Sequence, residues 1–312
     1  MHDGLLRAIA TLVAALLALP LVAWLEGLRT RQHPVNGVVM GPRGAFTAVA
    51  TAIKLLEKRA PRALNTDRLL HNTAPVLALI PTLAVLAIIP LSPDDPVGAT
   101  LPLALSMPLL STAAVALAGF GGGNRLAHLA ALRLVALRLS VLVVVAAAAM
   151  AAAHAAGSIE LPVLAQAQTR ALVGPLPRWG IIVAPTAFLA ALVALAIHAQ
   201  HVLRSRTEPS LAEPWIGDAT GPVLLGHRFF ETLDLVVGGA LLSVIFLGAW
   251  HSPGFQLPFV PTSIFKVLVG VVSIVLARNA LPALTPSVAL RVCWIVLLPL
   301  AVIALVAVEA LL

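Results

Sequence analysis

Charge is what this sequence has least of. Of 312 residues only 11% are Asp, Glu, Lys or Arg, where a soluble domain carries roughly 25%. That scarcity excludes a water-exposed surface wrapped around a soluble core. Cysteine is nearly absent. The single Cys293 permits no disulfide framework and no thiolate-held metal or cluster. The chain cannot hold a redox centre with its own thiolates. Fixed-period repeats and low-complexity linkers are missing, which argues against a stand-alone transporter built from internal repeats. The glycine-rich run "GFGGGNR", Gly119 to Arg125, lacks GxxxxGK[ST] and reads as a turn. His198 and His201 have no third ligand at an evident spacing, so no metal site is expected. The first apolar run is long for a secretory leader and has no small-x-small cleavage site, so it reads as a retained helix.

What is present is apolar. Hydrophobic residues make up 60% of the chain and the mean hydropathy is +1.01. A spanning helix needs about 20 mainly apolar residues. Eight segments qualify: roughly 5–25, 69–90, 101–120, 133–154, 179–203, 231–250, 264–281 and 290–311. The expected fold is an all-α membrane bundle, a single integral membrane domain over 1–312. Sixteen of the twenty Lys and Arg fall on the odd-numbered connections and their flanks. The connections 91–100 and 251–263 contain none. The positive-inside rule then places 26–68 and 204–230 in the cytoplasm and both termini outside. The same rule accounts for the net charge of +7 without invoking nucleic acid.

One stretch, "GPRGAFTAVATAIKLLEKR" from Gly41 to Arg59, is too short and too charged to span. Phe46, Val49, Ile53 and Leu56 share one helical face, and Thr47, Thr51, Lys54 and Lys58 the other. Gly41-Pro42 and Pro61 bound it. The pattern is that of an amphipathic helix at the membrane interface between spans 1 and 2, or of a plain surface helix.

The same stretch resembles a motif of the H subunit of bacterial NADH-quinone oxidoreductase, subunit 1 of respiratory complex I. Gly41, Pro42, Gly44, Ala50, Ile53, Lys54, Leu55 and Lys58 keep its order and spacing, followed by Asp67-Arg68 and Ala74-Pro75. Further matches are Asn124-Arg125 and Arg133, "SIELPVLAQAQ" from Ser158 to Gln168, and "FLGAW" from Phe246 to Trp250. Lys266, Arg278, Leu281-Pro282, Trp294 and Leu298-Pro299 match the last two spans. Membrane anchors of energy-converting hydrogenases and formate hydrogenlyases are similar to this family. The resemblance implies eight spans in the inner membrane of a bacterium, with outside termini. It also implies a non-redox subunit of a proton-translocating NADH-quinone oxidoreductase, not an enzyme by itself. That subunit forms the membrane side of a quinone chamber and docks a peripheral arm. It also starts a file of buried charges coupling electron transfer to proton movement. Quinone is the shared substrate, no cofactor is bound by this chain alone, and flavin and iron–sulfur clusters belong to partner subunits.

Intramembrane charge is expensive and therefore functional by default. Asp234, with Glu231 one turn before it, is the best buried proton carrier, or else part of an interfacial pair at a helix start. Arg29, Arg31 and Lys54 lie beside the expected chamber mouth, where they bind quinone or a docking subunit, or simply anchor the chain. In "RTEPSLAEPW", Arg206 and Glu213 keep the register of the family's chamber-lining segment, and Glu208 and Asp218 are nearby acids. Carboxylates there hold protons if buried and merely solvate if exposed. Several family acids are missing. Val141 and Leu142 follow Ser140 where the family has Ser-Tyr and then a Glu. Leu203 stands at another family Glu, and Thr51 at an Asp. His198 or His201 is a candidate substitute, since imidazole relays protons near neutral pH. The Arg228/Asp234 spacing and these losses point towards a hydrogenase-type anchor. The long matches in 41–75 and 266–299 point towards complex I.

Overall fold

The computed structural model describes residues 50, 52–58, 66–93, 98–123, 125–173, 176–203, 219–252 and 257–311. The expected span 5–25 and the residues Arg29, Arg31, Arg206, Glu208, Glu213 and Asp218 lie outside these. Of the amphipathic stretch, residues 52–57 are helical, and Ile53 and Leu56 are left uncovered by the described residues around them.

Among the described residues, six helices are long and apolar enough to cross a membrane. They are α1 (Arg68–Ile88), α2 (Leu101–Gly121), α3 (Arg125–Ala156), α7 (Gly221–Phe246), α8 (Phe259–Ala280) and a last helix running Pro286–Ala310. A further apolar helix, α6 (Pro185–Leu203), is shorter in its apolar part, Pro185–His201. Two short helices, α4 (Leu161–Ala167) and α5 (Gly180–Val183), lie between α3 and α6. The last helix consists of α9 (Pro286–Val292), one π turn at Cys293–Leu297, and α10 (Leu298–Leu311). The chain is a multi-pass membrane protein.

Three features depart from the expected fold, each for a local reason. An antiparallel ribbon of two short strands, β1 (Ala171–Val173) and β2 (Leu176–Pro177), sits before α5. The described residues are otherwise all-helical, as expected, and three- and two-residue strands carry no period to read. The expected span 179–203 is broken at Ala184. Pro185 pushes the residue before it out of the helical region, so a long apolar run becomes two helices. The segments expected over 133–154 and 231–250 begin earlier, at Arg125 and Gly221. Apolar counting stops short of charge, but here one helix already begins at Arg125 and the other runs through Arg228.

The π turn has a visible cause. Pro299 has no N–H to donate, and its ring crowds the carbonyl four residues back. The preceding turn widens, and Leu298 N–H reaches the Cys293 carbonyl instead. The widened turn aims Trp294 towards α3, where its Nε1 donates to Ser140 Oγ at 3.0 Å.

α7 is the central helix. Of its apolar window 89% is buried, against 28% for the last helix. It packs against α1, α6 and α8, and approaches α8 most closely at glycine. A Cβ on Gly239 would meet the Val267 carbonyl and the Val271 N–H at 2.8 Å, and one on Gly270 would meet the Gly239 carbonyl at 2.6 Å. Small residues let backbones approach in a medium where apolar side chains gain nothing by leaving lipid.

Several polar residues secure helix ends. Asp67 caps α1, accepting from the N–H groups of Leu69 and Leu70 at 2.9 and 3.2 Å, and its own N–H bonds the Gly121 carbonyl. Gln168 donates to the Val244 carbonyl at 2.7 Å and accepts from Gly180 N–H at 3.1 Å. Gln200 donates to the carbonyls of Arg278, Leu281 and Pro282 at and past the end of α8. The "FLGAW" segment ends α7 through left-handed residues, Gly248 with φ 73° and Ala249 with φ 40°. Lys266 Nζ closes that end, donating to the Leu247 carbonyl at 2.7 Å and also to that of His251. It lies 4.5 Å from the centre of the Trp179 ring. A cation favours a helix C-terminus, and an indole face favours a cation. Burial, and then the Lys266 charge, hold the His251 imidazole below its usual pKa.

Two outcomes follow from these contacts. Gly239→Val is expected to lower the melting midpoint in detergent, at about 1–3 kcal/mol for an overpacked site. Gly98→Ala, with no atom within 4 Å of the added carbon, should leave it unchanged. Lys266→Met removes two charge-assisted bonds worth roughly 1.5–3 kcal/mol each. It should lower the same midpoint and expose the α7 end to limited proteolysis.

Candidate functional site

The site is built around Asp234 on α7. Four helices meet there through the side chains of Ser111, Arg138, His198 and Asp234. Arg138 of α3 donates through Nη2 to Oδ1 of Asp234 at 2.5 Å and to Ser111 Oγ of α2 at 2.8 Å. Its guanidinium carbon lies 5.3 Å from the centre of the Phe230 ring, one helical turn before Asp234. His198 of α6 places Nε2 at 2.7 Å from Oδ2, the other carboxylate oxygen. Side-chain exposures are 3% for Arg138, 9% for Asp234 and 9% for His198. The carboxylate therefore has a partner on each oxygen and almost no contact with solvent.

A charge taken out of water without a partner costs far more than a fold can supply, so buried charges are paired. Pairing does not make such a site a large source of stability. Desolvation offsets most of the attraction, whereas removing a single partner costs about 3–5 kcal/mol. What the cluster retains is ionisable chemistry inside an apolar bundle. A carboxylate shared between a guanidinium and an imidazole can take up or release a proton without leaving its place, and the carboxylate and imidazole titrate as a pair.

Glu231 lies one turn before Asp234 and is fully buried. Arg228 Nη1 is 4.0 Å from its Oε2, and His227, four residues before Glu231, is also buried. His227, Glu231 and Asp234 follow one face of α7 at helical spacing. The two proton-carrier candidates on α7 thus share a row. The sequence spacing of Arg228 and Asp234 does not become a contact: Arg228 approaches Glu231, and Asp234 takes Arg138. Lys54 is exposed and is not among the partners of this cluster. Among the described residues, no group of three or more His, Cys, Asp or Glu is placed to hold a metal ion.

Sequence reasoning missed Arg138 and Ser111. Arg138 counted only as flanking positive charge, although an arginine followed by a long apolar run is itself the signal of a buried partner. Ser111 carries no signal in sequence, because its role depends on the crossing of α2 and α3.

Comparison with known proteins adds a family to this geometry. The H subunit of the F420H2 dehydrogenase of Methanosarcina acetivorans is 27% identical over 289 residues, covering 86% of this chain and 81% of that protein. An H subunit of the NADH-quinone oxidoreductase of Geobacter metallireducens, the one numbered 1, is 27% identical over 308 residues, covering 91% and 86%. The H subunit of the NADH-quinone oxidoreductase of Campylobacter curvus is 28% identical over 329 residues, covering 97% of each. The sequence model of the NADH dehydrogenase family matches residues 6–309. An apolar bundle with buried acids on its central helix, matched along nearly its whole length, belongs to the NADH dehydrogenase family, that of the H subunit of complex I.

Proposed function

We propose that this chain is the membrane subunit of a complex I-type NADH-quinone oxidoreductase, and that Asp234 is one of its proton carriers. The observation that carries the reading is the Asp234–Arg138–His198 cluster on the most buried helix of a chain matched by the family over 6–309. In this reading the chain has eight spans in the inner membrane with both termini outside. The stretch 41–59 lies flat at the interface, and the uncovered Ile53 and Leu56 support that placement. Arg29, Arg31, Lys54, Arg206, Glu208, Glu213 and Asp218 line the quinone chamber or its docking face. Quinone is the shared substrate. Flavin and iron–sulfur clusters reside in partner subunits, and the chain contributes protons and position, not electrons.

A second reading, the membrane anchor of an energy-converting hydrogenase or formate hydrogenlyase, is favoured by the absence of several family acids and by the charged row on α7. The relatives named above take two different electron donors in their names, NADH and F420H2. Nothing in the described residues addresses a soluble electron donor, so in this reading the docked arm decides which donor is used.

Purification of the tagged chain from its own membranes under mild detergent should bring down an iron–sulfur subunit together with a quinone-type or a nickel-type large subunit. Which large subunit appears separates the two readings, and recovery of the chain alone would sink both. The role of Asp234 has its own test. Arg138→Met with Asp234→Leu removes both charges at once, an exchange that is often neutral for stability. In the complex that assembles, electrons should pass to an artificial acceptor at the normal rate. Coupled proton uptake should fall on the order of 10²-fold, the scale of a lost proton-transfer group. Unchanged proton uptake would make the pair purely structural.

A further inference from the structure

Two buried imidazole nitrogens on α6 have no hydrogen-bond partner among the described residues: Nδ1 of His198, whose ring meets Asp234 through Nε2, and Nε2 of His201. Both side chains are buried, with residue exposures of 7% and 3%. The second nitrogen of each ring is held, and its partner sets the tautomer. His201 Nδ1 lies 2.9 Å from the Ile197 carbonyl. A carbonyl only accepts, so Nδ1 carries the proton and Nε2 presents a lone pair. His198 Nε2 meets Oδ2 of a carboxylate already engaged by Arg138 at its other oxygen. The imidazole donates there, and its Nδ1 is likewise a lone pair.

Two buried acceptors are therefore left on neighbouring side chains of α6. Residues three apart on a helix have Cβ atoms roughly 5–6 Å apart. Leaving a buried acceptor unsatisfied is unfavourable, and apolar side chains of similar size would avoid that cost. One water donates two hydrogens, the number that two neighbouring acceptors require.

We infer that His198 and His201 form a proton relay into Asp234, with one bridging water between His201 Nε2 and His198 Nδ1. The inference rests on the reading of Asp234 as a proton carrier. A proton that arrives at His201 Nε2 passes through the water to His198 Nδ1. His198 then releases its Nε2 proton to Oδ2 of Asp234. Only N–H and O–H bonds form and break, and no electron moves. His201 ends as it began, His198 ends as the opposite tautomer, and Asp234 has gained the proton. Return of that proton along the same path restores the starting tautomers. His201 lies near the end of α6, at Leu203.

The test uses amides, which keep the hydrogen bonds but cannot pass a proton from one nitrogen to another. His198→Gln sets an amide N–H against Asp234 in place of Nε2. His201→Asn sets one against the Ile197 carbonyl in place of Nδ1. Each variant is measured in native membrane vesicles carrying the assembled complex. Amount of complex, electron transfer from NADH or reduced F420 to ferricyanide, and quinone-dependent proton uptake by a pH-sensitive dye are read together. Assembly and ferricyanide reduction should stay at the parental level, with proton uptake reduced on the order of 10²-fold. Parental uptake in either amide variant, with loss in Arg138→Met/Asp234→Leu, overturns the relay and leaves Asp234 as carrier by another route. Parental uptake in all three overturns both. If His201→Asn does not assemble, His201→Gln is judged by the same readings. Failure of both to assemble overturns the relay in favour of a purely structural histidine.

Discussion

The contact between Arg138 and Asp234 is the constraint on which the arrangement of helices depends. Each residue alone would have to reach the membrane surface or neutralise. Together they hold α3 against α7, and their remaining valences recruit the neighbours: Ser111 from α2 on the guanidinium, His198 from α6 on the carboxylate. Apolar packing among Leu, Val and Ala would tolerate many rotations of these helices about their axes, since lipid tails are as apolar as leucine. The polar cluster tolerates one. Its contribution is thus to register more than to net stability.

The second constraint is the backbone. Lipid offers no partner for a free carbonyl or N–H, so the ends of apolar helices need partners from within the chain. The residues that match the family motifs outside the cluster largely supply them. Lys266 closes the end of α7, Gln168 ties α4 to α7 and α5, and Asp67 caps α1. Gln200, a position not among those motifs, holds the carbonyls that follow α8. In this fold a motif residue need not touch quinone or protons to be required.

Much of the bundle was legible in sequence because apolar length is a strong signal, and six of the expected segments appear as helices of spanning length. Helix ends were less legible. The expected span starts at Arg133, while the helix already starts at Arg125, because a helix can extend beyond the apolar stretch that counting detects. The break at Ala184 needed the steric effect of Pro185 to be weighed above a long run of apolar neighbours. Asp234 was found because acids are rare in apolar runs. Its guanidinium partner was not, because pairing across 96 positions leaves no local pattern. His198 was visible only as a candidate substitute; its hydrogen bond to Asp234 depends on how α6 crosses α7.

The sequence separation inside the cluster has a consequence for how the chain enters the membrane. Synthesis runs from α2 to α7, so Arg138 is inserted long before Asp234 exists. Ser111 lies only 27 positions earlier and is already in place, on the helix that forms a hairpin with α3. The hydroxyl is thus the first shelter for the guanidinium, and the long apolar stem of arginine lets the charge lean towards headgroups meanwhile. Arrival of α7 would convert this provisional lodging into the final one. The most buried helix is in that sense a late guest, admitted to a place that an earlier hairpin has kept polar for it.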